Sequence, residues 1–349
     1  MRKTLSDMAK HIKSIILPET DEAYAIDPIF MDTSSEETIR EGVAAFRDFL
    51  YRLCDVLITE GDLYDNYKKI AHAYENRITI SLSYPFLSNV KNLLMNIGLY
   101  GVLIENAQSL AFGNNVFSPK IPVSKSMECL RFLTDCGISI DGVDLYEKKP
   151  DLSKIETLTI SYPDNTAMLT GLKVMAMAEK EFGTLINKDI FLRCDYRALG
   201  NDGIDAVSIL KDTIIPLPAN IKDFILRLHQ RCLDKGFTCE AEIKDFWIIV
   251  KYSYKRKELW GLNTSLNNGF HISVKAKNTD KYSDVIEKFP LILQEMIAKG
   301  YGCGRKRDII GHCDGGCRGI PISLDDSVLD ISDDIETWFD QELASLQKK

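Results

Sequence analysis

An α+β fold is what this sequence predicts, with a helical N-terminal segment, β-α-β-like repeat units, and then an antiparallel meander with flanking helices. Three observations predict it. Apolar residues recur at helical spacing near the N-terminus; the string Ser-Tyr-Pro occurs twice, each time between an alternating run and a helical one; and residues 237–277 alternate polar and apolar side chains around turn-forming residues. At 349 residues the chain exceeds one ordinary core. The expected division is a helical segment over 1–75, an α/β-type domain with a weak internal repeat over 76–203, and an α+β domain over 204–349.

The elements follow in order. In "SSEETIREGVAAFRDFLYRLCDVLITEG" the residues Ile39, Val43, Phe46, Leu50, Leu53 and Leu57 alternate steps of four and three, so they share one helical face. Ser34 or Ser35 can cap that helix, Glu36 and Glu37 complement its dipole, and Gly61 ends it. The repeat has Ser83-Tyr84-Pro85 and Ser161-Tyr162-Pro163 at its centres, each closing a strand and opening a helix. Proline cannot donate to a ladder, and its fixed φ suits a first helical turn, so strand, proline, helix is physically coherent. "GVLIENAQSLAFG" and "DIFLRCDYRAL" are the candidate strands that follow, and "VSKSMECLRFLTDCG" is a helix between the two units.

"LGNDG" at 199–203 and "PLP" at 216–218 mark the boundary to the last domain. There, "NIKDFILRLHQRCLDKG" is an amphipathic helix that Gly236 can close, and the meander follows with a hairpin turn at "NNG", 267–269. "YSDVIEKFPLILQEMIAKG" returns to helix. A Cys/Gly-rich segment fills 300–319, and "ISDDIETWFDQELASLQKK" ends the chain as a helix with Ser332 as a candidate cap.

Composition excludes several classes. The chain is 45% hydrophobic and 27% charged, as in globular proteins, and no stretch reaches the roughly 18 uncharged apolar residues of a membrane span. Nine cysteines are an odd count spread along a long chain, which is not the pattern of a secreted disulfide framework, so the expected location is cytoplasmic. Cys54, Cys129, Cys136, Cys194, Cys232 and Cys239 are expected to behave mostly as small buried hydrophobes.

The other three cysteines lie in "GYGCGRKRDIIGHCDGGCRG". Cys303, Cys313 and Cys317 have the spacing C-x9-C-x3-C, and His312 precedes the second. Zinc takes four tetrahedral S or N ligands, so Cys303, His312, Cys313 and Cys317 are the candidate set. His312 and Cys313 reach one ion only from a loop; otherwise His271 or Cys239 must complete it. A plain glycine-rich turn with reduced thiols is the simpler alternative. Thiol chemistry at Cys303 or Cys313 is the third, because Arg305, Lys306 and Arg307 would favour a thiolate at Cys303.

The net charge of -8 hides an asymmetry: residues 251–307 hold twelve Lys and Arg against five Asp and Glu. Lys251 and Lys255 would share one face of a strand through "KYSYKRK", with Lys275 and Lys277 nearby and Arg305, Lys306 and Arg307 further on. These seven cations are the candidate site for an anionic ligand or nucleic acid, and the acidic remainder argues against a protein that coats nucleic acid all over. No H-E-x-x-H, G-x-S-x-G or Walker spacing occurs.

Through "SYPFLSNVKNLL", "CLRFLTDCGI", "FLRCDYR", "KGYGCGRKR" and "GCRGIPISLDDS" the chain resembles a family of uncharacterised bacterial proteins of unknown function. The resemblance implies no activity and assigns no residue a role. The expected function is therefore a cytoplasmic binding or regulatory protein whose basic C-terminal domain engages an anionic partner, with a zinc-bound or structural edge. A thiol-based enzyme or redox protein and a purely structural interaction protein are the alternatives.

Overall fold

A computed structural model describes residues 3–18, 24–74, 77–104, 106–117, 125–147, 156–183, 190–200, 204–244, 247–266, 269–276, 278–298 and 320–347. Two compact units emerge, 1–69 with 82–204 and 70–81 with 205–349.

In the first unit, α1 (Leu5–Ile15) starts on a capping box in which Thr4 and Asp7 satisfy each other's backbone N-H groups. Its buried face packs on α3, and between the two lies the short α2 (Pro28–Met31), capped by Asp27. α3 (Glu36–Glu60) is capped by Ser35 and runs to Gly61. All six residues of its expected stripe are buried, because a 3.6-residue repeat keeps those positions on one side. The helical stretch ends earlier than residue 75, since β1 (Lys68–Tyr74) is already a strand and pairs with β2 (Arg77–Ser83); residues 70–81 of that hairpin belong to the second unit.

Each Ser-Tyr-Pro junction joins a strand to a helix: β2 leads into α4 (Pro85–Tyr100) with proline in its first turn. "GVLIENAQSLAFG" is not one strand. It folds back as β3 (Val102–Ile104) and β4 (Ser109–Phe112), with Asn106 and Ala107 at positive φ between them. α5 (Ser126–Asp135), β5 (Ser139–Asp141) and β6 (Leu158–Ser161) follow, and the second junction opens α6 (Ala167–Ala178). The sheet order is β3-β4-β6-β5 with every pair antiparallel.

α6 is apolar nearly all round and packs against both α3 and α4. It crosses α3 at backbone distance, because a Cβ on Gly171 would fall 1.9 Å from the Gly42 carbonyl oxygen. Its one cation, Lys173, donates to the carbonyls of Gly101 at 2.8 Å and Gly98 at 3.4 Å, where a positive charge suits the C-terminal end of α4.

"DIFLRCDYRAL" forms turns and a 3-10 helix over Tyr196–Leu199, not the expected strand. Asp195 is fully buried, and both its oxygens accept from Arg197 at 2.8 Å, with Arg193 at 3.6 Å. Cys194 sits at φ +50 between these groups. That local ion cluster fixes a compact turn in place of a ladder.

The second unit opens with α7 (Ala206–Thr213), capped by Asp205, and α8 (Ala219–Asp234), which closes at Gly236 with φ +77. Four strands follow: β7 (Thr238–Lys244), β8 (Trp247–Tyr254), β9 (Lys257–Ser265) and β10 (Gly269–Val274). α9 (Ser283–Ile286) and α10 (Leu291–Ala298) replace the expected single helix, since Pro290 blocks its continuation. β11 (Ile320–Ser323) and α11 (Ser332–Gln347) complete the unit. The five strands are ordered β11-β10-β9-β8-β7, all antiparallel.

α8 and α11 cover the sheet face that holds Tyr252 and Trp260. These two rings stack at 4.1 Å, Trp260 also stacks on Phe339 of α11, and its indole N-H donates to Cys232 of α8. His229 Nδ1 lies 2.7 Å from the Tyr252 hydroxyl. Arg231 of α8 and Lys235 at its C-terminal cap reach Asp340 of α11, binding the two helices side by side. Glu342, 1% exposed, accepts from Asn278 and Tyr282, which ties α11 to the loop after β10.

Candidate functional site

The expected cations of the C-terminal unit divide into three groups. Lys277, Arg305, Lys306 and Arg307 lie outside the described residues, as do Cys303, His312, Cys313 and Cys317. Lys251 and Lys275 form the second group. Lys251 on β8 stands opposite Gly261 of β9, which stands opposite Ser273 of β10. Lys275 extends that ladder by one bond, its N-H donating to the Leu259 carbonyl at 2.7 Å. Side chains alternate along a strand, so Lys275 rises on the same side as Ser273 and Lys251. Each lysine is held by a carboxylate, Lys251 by Glu242 at 2.6 Å and Lys275 by Glu258 at 2.5 Å. Their charge is locally balanced.

Lys255 is the third case. The expected strand through "KYSYKRK" stops at Tyr254, and Lys255 with Arg256 makes a two-residue turn between the paired residues Tyr254 and Lys257. Lys255 has φ +48 and Arg256 φ +66, the left-handed region at both central positions, as the twist of a two-residue hairpin requires. Lys255 therefore leaves the face of Lys251 and joins a different group. Lys255, Arg256 and Lys257 are all exposed, and no carboxylate of the described residues is within ion-pair distance of them.

The base of this tip is anchored. Tyr254 packs on Phe237 with ring centroids 5.5 Å apart, and the Lys255 ammonium lies 5.4 Å from the Tyr254 ring centroid. Arg256 and Lys257 are the residues that sequence reasoning left out of the candidate site. The signal available for them was the unbroken "KRK" between two alternating runs, which reads equally well as the end of a strand.

The described thiols offer little nucleophilic chemistry. Burial pushes Cys54, Cys129 and Cys194 up to about 12 and Cys232 up to about 11, and it raises Cys136 and Cys239 as well. A thiol so far above neutral pH is almost wholly protonated, and the thiolate is the nucleophile. Cys239 is half-buried and the other five are buried.

Burial also holds the imidazoles of His229 and His271 below their usual range, with Lys211 adding to the effect at His229. His271 Nδ1 lies 3.2 Å from the Gly269 carbonyl, which can only accept, so Nδ1 carries the hydrogen. Among the described residues no group of three or more His, Cys, Asp and Glu could hold a metal ion. Likewise, none of the described helices is long and apolar enough to cross a membrane.

What the fold and site define is an α+β chain whose C-terminal unit, a five-stranded antiparallel sheet backed by helices, presents a cationic hairpin tip. No protein-family model, curated protein or solved structure matches the chain.

Proposed function

We propose that this chain is a cytoplasmic binding or regulatory protein whose C-terminal unit engages an anionic partner through the hairpin joining β8 and β9. The observation that carries the reading is the tip itself: three consecutive exposed cations with no carboxylate partner among the described residues. Lys251 and Lys275 support it less, because a ligand must compete with Glu242 and Glu258 for them. In the same reading, Cys303, His312, Cys313 and Cys317 hold a structural zinc ion, and Arg305, Lys306 and Arg307 add to the positive charge. A reducing compartment fits the six unpaired thiols among the described residues.

The test is retention on heparin at low salt, followed by elution with rising salt. Earlier elution of Lys257→Gln than of the natural protein is the expected result, since each lost phosphate-like contact lowers the salt dependence. Identical elution of the two would remove the tip from the site. Zinc is tested separately by elemental analysis of protein purified without chelator. About one equivalent is expected, falling on Cys313→Ser.

Thiol chemistry stays as a second reading. The raised pKa of every described cysteine leaves Cys303 or Cys313 to carry it, and rapid alkylation of Cys303 near neutral pH would favour it over zinc.

A further inference from the structure

We infer that the face of the five-stranded sheet turned away from α8 and α11 binds a neutral oligosaccharide, with Trp247 as the platform for one sugar ring. The site is separate from the hairpin tip at 255–257 and rests on different chemistry. Of the three tryptophans in the chain, Trp260 and Trp338 are fully buried, whereas Trp247 is 47% exposed. Indole is usually well buried, and an exposed one joins a large apolar face to a polar N-H, which is the character of a binding surface.

Strand register arranges the neighbours of Trp247. Side chains alternate along β8, so Trp247 shares its face with Ile249 and Lys251, opposite to the buried Ile248, Val250 and Tyr252. Ile249 stands between Glu242 of β7 and Asn263 of β9, and Asn263 stands beside His271 of β10. A carboxylate, an aliphatic group, an amide and an imidazole therefore form one row across four strands, next to the indole. At the usual strand spacing the row spans about 14 Å.

Each polar member of the row can take a hydroxyl. His271 is 8% exposed, and with the Nδ1 hydrogen given to the Gly269 carbonyl its Nε2 is an acceptor that has no partner among the described residues. Asn263 donates to the Gly261 carbonyl at 3.1 Å, which leaves its Oδ1 to accept. Glu242 is held by Lys251 at 2.6 Å, yet a carboxylate has about four lone-pair sites and accepts from a hydroxyl as well. A pyranose ring has C-H groups on its face and hydroxyls round its rim, so it suits an indole bordered by acceptors.

Charge separates this ligand from others. On the same face Lys251 pairs with Glu242 and Lys275 with Glu258, so a charged ligand would have to displace an existing partner. A neutral one leaves both pairs intact. A dry protein surface would bury the acceptors of Asn263 and His271 without donors, which is costly.

The experiment offers the full chain maltohexaose, cellohexaose and a heparin hexasaccharide, and reads iodide quenching of tryptophan fluorescence. Iodide reaches Trp247 and not the two buried indoles, so protection from quenching reports a ligand on this face. Protection by at least one of the two neutral sugars is the expected result. Calorimetry should then show the affinity falling about tenfold in Trp247→Ala and several-fold in Asn263→Ala, which keeps the indole. Melting temperatures check that the variants fold, and quenching of the natural protein depends on neither of them. No protection by either neutral sugar, or binding that both variants leave unchanged, overturns the assignment. Protection by the heparin hexasaccharide alone overturns it too, because the ligand would then be anionic.

Discussion

The two ends of β9 meet left-handed backbone with opposite chemistry, Lys255 and Arg256 before it and Gly269 after it. After β9 the sequence runs Asn267, Asn268, Gly269, and the glycine takes φ +61 with nothing among the described residues within 4 Å of where a Cβ would stand. Glycine adopts that backbone without the steric conflict other residues meet. From β8 to β9 the same left-handed region is filled by Lys255 and Arg256, whose Cβ atoms conflict with the neighbouring carbonyl at a cost of roughly 1 kcal/mol each. At Gly269 the left-handed position is held by the residue that prefers it, and at 255–256 it is held by two long cations. Strained backbone persists where the surrounding structure or a task holds it in place. The stacked Tyr252 and Trp260 below, and the Tyr254–Phe237 contact at the base, supply the first.

The comparison can be broken by exchanging the chemistry of the two turns. The largest effect is expected on binding: Lys255→Asn with Arg256→Gly should weaken polyanion affinity about tenfold or more at 0.1 M salt, because two phosphate contacts disappear. Fluorescence anisotropy with a labelled oligonucleotide measures it. Unchanged affinity would mean that the strained turn is strained for no ligand.

Next in size is the reverse exchange. Gly269→Val puts a β-branched residue at φ +61, and since no described residue crowds the site the loss is conformational, about 1–2 kcal/mol in urea denaturation. The same assay should show Lys255→Asn with Arg256→Gly gaining roughly 1 kcal/mol, a stabilisation that coincides with lost binding. If both variants move stability in the same direction, the two turns do not differ in strain.

The smallest effect sharpens the comparison by pH. Neither turn carries a side chain that titrates near neutrality, whereas His271 donates to the Gly269 carbonyl and His229 meets Tyr252. Burial lowers both imidazole pKa values in the folded state, so the unfolded chain binds more protons just below the ordinary imidazole value of 6.5. Stability from these groups is present above that pH and is lost as pH falls through the folded values. Melting temperatures at pH 7.5 and 5.5 should differ less for His229→Gln and His271→Gln than for the natural protein. Replacing both tip cations should leave the pH dependence as it was and alter only the dependence on salt.

Local chemistry settled much of this protein from the sequence. The α3 stripe from Ile39 to Leu57, the Ser35 cap, the stops at Gly61 and Gly236, the hairpin ending at Gly269 and the helix after Pro85 each depend on residues within a few positions of one another. Periodicity, capping and the conformational freedom of glycine act over that range, so one strand of text contains them. Tertiary structure decided what depends on distant partners. Lys251 and Lys275 find Glu242 and Glu258 across strands, and a Lys-Arg pair with no turn propensity becomes a turn. The last is the plainest case: register between β8 and β9 is fixed by packing Tyr252, Trp260 and Leu262 against the helices, and the turn takes whichever two residues that register leaves over.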